Sequence, residues 1–413
     1  MYKYLLIGLV ALAVIMVGVG STLNQEKGPV KIRIWHQKDL AERNLMIKQV
    51  ARYNAEHKDH QVEILWKENE ELRSMFIIAA MGGTGPDVIY GPSDNVGVYA
   101  LTNTIQPLDT ALGSDFYSAF SADGAAMYEG KKWSVTDQVG NQLTLVYNRK
   151  LVPNPPKTLD ELVQMGQKLT KDTNGDGRVD QYALVWNFRE PFFFIPFLTS
   201  YGGWLMDEKG NPTLDNDQTA QAIQFVLDLR DKYKVIPKEL DYDTAETIFK
   251  EGKAAMIING PWSWGGYKDA GVDFGLAKIP FNTQTNLWST PTFMTKGYMV
   301  NVNAQGEKLR YIREVLRYLT GAEVQREMTE ALSTIPTNRA VFDEMTKNPS
   351  VTLKGAIEQY QQSRATPTNP RLRQIWDGMR GPYQLVMSGR VTARQGAKEM
   401  QRQCERLIND TYL

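Results

Sequence analysis

Short apolar runs bounded by polar, glycine or proline turns alternate with longer segments of helical spacing along most of this chain. Residues 31–35 (KIRIW) alternate and predict a strand, followed by a helix over 40–57. Residues 61–66 predict a second strand, and 68–81 a helix stopped by Gly82-Gly83. Residues 88–90 predict a third strand that breaks at Gly91-Pro92-Ser93-Asp94-Asn95. A β-α-β-α-β order predicts a mostly parallel sheet flanked by helices. Further strands are expected at 142–148, 182–186 and 272–279, and helices at 159–169, 219–234, 308–320 and 322–332. A polar connection lies around 282–289, and Thr366-Pro367-Thr368-Asn369-Pro370 breaks the chain before a last, arginine-rich helical region.

The most telling stretch is 249–264, FKEGKAAMIINGPWSW. A charged helical segment ends at Gly252, which suits a helix C-cap, and 254–258 is an apolar run of the kind that forms a strand buried on both faces. Asn259-Gly260-Pro261 stops it, because Gly permits unusual backbone angles and Pro fixes φ and removes a donor. Trp262 and Trp264 follow at once. Ligands of open α/β sheets sit beyond the carboxyl ends of the strands, so an indole held there is a candidate ligand platform; core filling is the plainer account of each.

Composition narrows the picture. A chain of 413 residues suggests two domains, and 42% hydrophobic content supplies a sizeable core. Lys+Arg and Asp+Glu both count 47, which leaves no basic field for nucleic acid and favours a neutral partner. One cysteine, Cys404, excludes an intramolecular disulfide. Lys3 precedes an apolar run at 5–20 that falls short of the ~20 residues of a comfortable span and slightly exceeds a signal-peptide core. Gly18-Val19-Gly20 offers a cleavage site, so 1–28 reads as an export signal or a retained N-terminal anchor, with no nearby cysteine for lipid attachment.

Four strand ends carry similar side chains: Asp39, Asp94, Glu190 with Phe192, and Trp262. Carboxylates that accept from hydroxyls, converging with aromatic faces, suit an uncharged polyhydroxylated ligand. For Asp39 and Asp94 taken alone, a helix cap is the better account. The glycine-rich GGTGPD lacks the Lys-[Ser/Thr] of a phosphate loop.

Three long stretches, LVYNRKLVPNPPKTLDEL, NFREPFFF and FKEGKAAMIINGPWSW, with GTGPDVIYGPSDNVGVYA, resemble the extracellular solute-binding proteins of ABC importers, in the maltose-binding branch. The resemblance runs from about Lys31 to the C-terminus. It implies an α/β, two-lobed periplasmic-binding-protein type II fold, each lobe a mostly parallel sheet flanked by helices, with ligand gripped between the lobes. It implies a first lobe of 29–139 and 289–344 and a second of 140–288 and 345–413. The implied function is capture of a neutral oligosaccharide and its delivery to membrane permease subunits by hinge closure. A periplasmic or extracellular monomer that needs no cofactor is expected. Trp262, Phe192 and Trp376 are the implied aromatic platform, and Asp94, Glu190 and Asp39 the polar contacts. The sequence departs from the maltose binder at Gly91 (a stacking Trp there), Asn95 (an Arg), Asn141 (a Glu) and Phe192 (a Tyr), which puts maltose itself in doubt.

Asp172, Asn174, Asp176 and Asp180, with the Arg178 carbonyl, match the front half of a calcium loop, although Ala183 stands where an EF-hand has its bidentate Glu. A structural calcium ion is expected there, against the alternative of a polar turn. His36, His57 and His60 lack metal-ligand spacing and are expected to be solvated, as are Arg373, Arg380 and the other late arginines. Two competing functions are a sensory glycan-binding component and, less favoured, a glycoside hydrolase using Asp94 and Glu190, whose carboxylates would need a fixed separation that a hinge does not give.

Overall fold

The computed structural model describes residues 28–412. The apolar run expected to be an export signal or anchor lies outside the described residues. Among the described residues no helix is long and apolar enough to cross a membrane.

Two sheets organise the chain into two lobes. Strand β1 (Val30–His36), helix α1 (Leu40–Glu56), β2 (His60–Trp66), α2 (Asn69–Met81) and β3 (Val88–Pro92) follow the order that the hydrophobic pattern predicts. β1 buries Ile32, Ile34 and His36 and turns Lys31 and Arg33 outward. It pairs in parallel with both β2 and β3. Each helix starts on a carboxylate that satisfies a free amide: Asp39 accepts from Glu42 N at 2.9 Å, and Glu68 from the amides of Glu70 and Glu71. β4 (Val135–Gly140) joins this first sheet, and the chain then crosses through 141–143 to β5 (Thr144–Asn148) of the second.

β6 (Tyr182–Val185), α3 (Tyr242–Lys250), β7 (Ala254–Asn259), α4 (Pro261–Asp269) and β8 (Phe274–Ala277) build the second lobe, with strand order β8-β5-β7-β6. β7 lies inside this sheet and is buried along its whole length, as its apolar run requires. β9 (Thr292–Val300) returns to the first sheet between β3 and β4, and Ile335–Pro336 pairs with the far side of β4. Helices α5 (Leu372–Met387) and α6 (Ala393–Tyr412) pack along each other on the core of the second sheet.

The parallel arrangement holds for β1 with β2 and β3, and for β6 with β7; the other pairings in the main sheets are antiparallel, apart from Arg364–Ala365, which runs parallel to the start of β9. β5 and β9 each enter their sheet from the edge that faces the other lobe, so they run against the strands that end there. Neither β4 nor β9 shows in the hydrophobic pattern. VTDQVG carries three consecutive polar residues, and TFMTKGYMV is interrupted at Lys296-Gly297, yet all of β4 up to Val139 is buried.

Candidate functional site

The carboxyl ends of β6 and β7 build an aromatic wall. After β7 the chain turns directly into α4, with Pro261 in its first turn. Trp262 folds back over that turn: a Cβ on Gly260 would lie 2.0 Å from its ring, so only glycine permits the approach. Its Nε1 donates to Tyr242 Oη at 2.9 Å, and the indole stays 40% exposed. Trp264 is 5% exposed and belongs to the core. Of the two indoles, then, one is presented and one is filling.

Phe192, in the short 3-10 turn Pro191–Phe194 beyond β6, has its ring centroid 6.2 Å from that of Trp262 and 6.2 Å from that of Trp376 on α5. Three aromatic rings from separate segments thus meet, as expected. Glu190 borders them, with both oxygens engaged: Arg380 Nε donates to one at 3.0 Å and Nη2 to the other at 3.2 Å. Arg380 also donates to Asp377 at 2.9 Å. Trp376 and Arg380 stand one turn apart on α5. Arg380 is therefore part of this wall and not a solvated helix face. Arg373 is exposed, as expected, and reaches Glu70 of α2 across the lobes at 3.6 Å.

The first lobe presents a different surface. Asp94 sits in a 3-10 turn, Ser93–Asn95, and its buried Oδ1 has no hydrogen-bond partner. Burial pushes its carboxyl up to about 6, against the pull of Arg73. A Cβ on Gly97 would come within 1.9 Å of Thr368 O, so this turn packs directly on the TPTNP segment that leads into α5. Asn95 is buried beside it. Asn141 lies in the crossing between β4 and β5 at φ +65°, a conformation Asn tolerates, and its Nδ2 is 3.4 Å from Met294 Sδ. Asp39 is exposed and caps α1, so the plainer reading of that residue holds.

Sequence reasoning missed a buried ionic network beneath this surface. Lys38 Nζ stands 3.5 Å from Asp137 Oδ2 and 3.7 Å above the centre of the Tyr90 ring. Tyr90 Oη donates to Asp137 Oδ1 at 2.9 Å. Gln138 Nε2 donates to Tyr90 Oη and to Glu42 Oε1, both at 2.8 Å, and Lys296 Nζ reaches Glu42 Oε1 at 3.4 Å. Burial opposes ionisation of Glu42, but Lys296, Lys38 and the Gln138 amide together outweigh it and hold the carboxyl at about 2. For Asp137 burial prevails over Lys38 and Tyr90, and its carboxyl is raised. The one signal in the sequence is the polar run Thr136-Asp137-Gln138 between two valines.

Two further expectations are corrected. His36 and His60 are buried, not solvated: burial lowers His36 to about 4, and His60 bonds to Tyr53 Oη at 2.6 Å and Asp59 Oδ1 at 2.9 Å. In the 172–180 loop the carboxylates are spent on main-chain amides. Asp172 accepts from Gly175 and Gly177, Asp176 from Arg178, and Asp180 from Thr173 and Asn174. Among the described residues no group of three or more His, Cys, Asp or Glu side chains is placed to hold a metal ion. Asp172, Asn174, Asp176, Arg178 and Asp180, the expected calcium set, fold as a polar turn held by these amide–carboxylate bonds.

Comparison with known proteins bears on the fold and the family. A maltose/maltodextrin-binding domain from Bdellovibrio bacteriovorus, solved with maltotriose bound, is 41% identical, with a TM-score of 0.83 over 92% of this chain and 100% of that one. A maltotriose-binding protein from Pyrococcus abyssi is 27% identical over 89% of this chain and 79% of its own length. A galactooligosaccharide-binding protein from Bacillus subtilis is 24% identical over 91% and 88%. The family model of bacterial extracellular solute-binding proteins matches residues 48–353. The two lobes, the aromatic wall and these matches lead to one conclusion: the chain belongs to the bacterial extracellular solute-binding protein family.

Proposed function

We propose that this protein captures a neutral maltooligosaccharide outside the cytoplasm and delivers it to an ABC importer by closing its two lobes. The observation that carries this reading is the meeting of Phe192, Trp262 and Trp376 in one wall. Sugar rings expose C–H faces that lie flat on such rings, while their hydroxyls need fixed acceptors. Asp94 Oδ1, buried without a partner, is such an acceptor. Asn95, Asn141 and Asp39 are further contacts in this reading, Asp39 in addition to capping α1, and Glu190 acts through its pairing with Arg380. Lobes of 29–139 with 289–344 and 140–288 with 345–413 form the closing halves, and Glu70–Arg373 is a contact between them. The protein acts as a monomer held near the membrane by export or anchoring of its N-terminus, and its partner is the permease.

Hydrolysis is the weaker reading. An acid–base pair needs both carboxylates free to exchange protons, and both oxygens of Glu190 face a guanidinium. Titration calorimetry against maltotriose, galactooligosaccharides and unrelated neutral glycans tests the proposal. Tight binding of maltotriose with an unchanged product profile is expected; absence of binding to any neutral glycan overturns it. Small-angle scattering should show a smaller radius of gyration in saturating maltotriose. Chelation is expected to leave Tm unchanged.

A further inference from the structure

The ionic network in the first lobe has one outlet. Lys38, Glu42 and Asp137 are sealed, with side-chain exposures of 2%, 6% and 4%, whereas Lys296 keeps 25%. Lys296 pairs with Pro92, the last residue of β3, and the next turn carries Asp94. Thr295 N also donates to Ser93 Oγ at 3.3 Å. On its other side Lys296 pairs with Gln138, two residues before β4 leaves for the second lobe. Lys296 thus lies where β9 passes the carboxyl end of β3, with its side chain on the α1 face of the first sheet.

We propose that Lys296 is a ligand-contacting residue that donates hydrogen bonds to sugar hydroxyls, with Glu42, Gln138, Tyr90, Asp137 and Lys38 as the positioning set beneath it. This inference rests on the oligosaccharide reading above. An ammonium has three donors, and the protein engages one of them, on Glu42 Oε1 at 3.4 Å. Glu42 fixes where the ammonium stands, and Gln138 and Lys38 fix Glu42. Stability alone is a poor reason for such a cluster. Buried ion pairs contribute no more than apolar residues of the same shape, and here Lys38 Nζ and Glu42 Oε2 have no hydrogen-bond partner. With Asp94 as an acceptor and Lys296 as a donor, the first lobe offers both kinds of partner to sugar hydroxyls.

The test is titration calorimetry with maltotriose on wild type, Lys296→Met and Lys296→Arg, with Tm recorded for each. Wild-type binding is established first, so failure of the oligosaccharide reading is seen separately from failure of this one. Losing a charge-assisted bond weakens binding by about tenfold or more in Lys296→Met, while Lys296→Arg stays within about threefold of wild type. A merely structural lysine would lower Tm and leave the affinity of the folded fraction unchanged. Because Lys296→Met leaves Glu42 short of a cation and is at risk of misfolding, lysine acetylation of the wild type, read by mass spectrometry, gives a second measurement. Maltotriose should slow modification of Lys296 several-fold and leave Lys31, exposed on β1, unchanged. Wild-type affinity in a folded Lys296→Met, or equal modification of Lys296 with and without maltotriose, overturns the proposal.

Discussion

On the reading proposed above, the two lobes meet one recognition problem with opposite chemistry. The second lobe offers flat, partly exposed rings, fastened by a glycine turn, a tyrosine hydroxyl and an arginine–glutamate fork. The first lobe offers polar atoms supported by buried charge. Rings bury apolar area with little regard to where a hydroxyl points, so they set how strongly a sugar is held. Fixed donors and acceptors are satisfied by one hydroxyl arrangement and left unpaired by another, so they set which sugar is held. On that same reading, affinity resides mainly in one lobe and discrimination mainly in the other.

This division is easiest to break at the rings. Trp262→Ala and Trp376→Ala should each cost about 2 kcal/mol, roughly 30-fold in Kd, across every bound glycan. Calorimetry against a panel of oligosaccharides measures it, and a Trp262→Ala variant that binds all of them normally would make the indole filling, as Trp264 is. Gly260→Ala sharpens the point without removing a ring. Its Cβ would sit 2.0 Å from the Trp262 ring, so the indole must swing away, and about tenfold of affinity should go with it.

On the first lobe, pH is the probe. Burial raises the Asp94 carboxyl from 3.8 to about 6, so the folded protein binds that proton more tightly than the unfolded chain does. The cost of keeping the carboxylate ionised is present above pH 6 and is relieved as pH falls from about 6 towards 4. Ligand binding has the opposite sign, because a hydroxyl donates to the ionised form. Maltotriose affinity should fall by about tenfold as pH drops through 6, and Asp94→Asn should flatten the profile. A wild-type profile that is already flat would place Asp94 outside the contact. The smallest effect is expected for Glu190→Gln. Arg380 loses an ionised partner but keeps Asp377, so mean affinity should change by about threefold or less while the ranking of sugars shifts.

The second lobe was far more legible in the sequence than the first, and the reason is physical. NGPW, REPF and LRQIW place their rings beside local breaks, and local breaks are written in glycine and proline. β7 announces itself because a strand buried on both faces is a continuous apolar run. β4 and β9 lie nearly as deep, but Lys38, Glu42 and Tyr90 pair with Asp137, Gln138 and Lys296 there, and a pattern of apolar positions cannot register a polar residue whose partner lies 47 to 254 residues away. The histidines misled for the same cause: His60 is buried because Tyr53 and Asp59 receive it. Arg380 could have been suspected from its place one turn after Trp376, since a carboxylate beside aromatic rings commonly needs a cation to hold it.

The position of β9 also sets a timetable. It lies between β3 and β4, so the first sheet remains open until the chain has been made well beyond Pro92, through Thr292 to Val300. At about 5–20 residues per second, those two hundred residues take roughly 10–40 s. Throughout that interval β3, and from Gly140 onward β4 as well, has the edge that β9 will fill still unpaired, which is where stray strands attach. Closing a sheet across so long a separation is slow even once synthesis has ended. The time during which the nascent chain is open to chaperones, or to aggregation, is thus fixed by where one strand falls in the gene, whatever the stability of the finished protein.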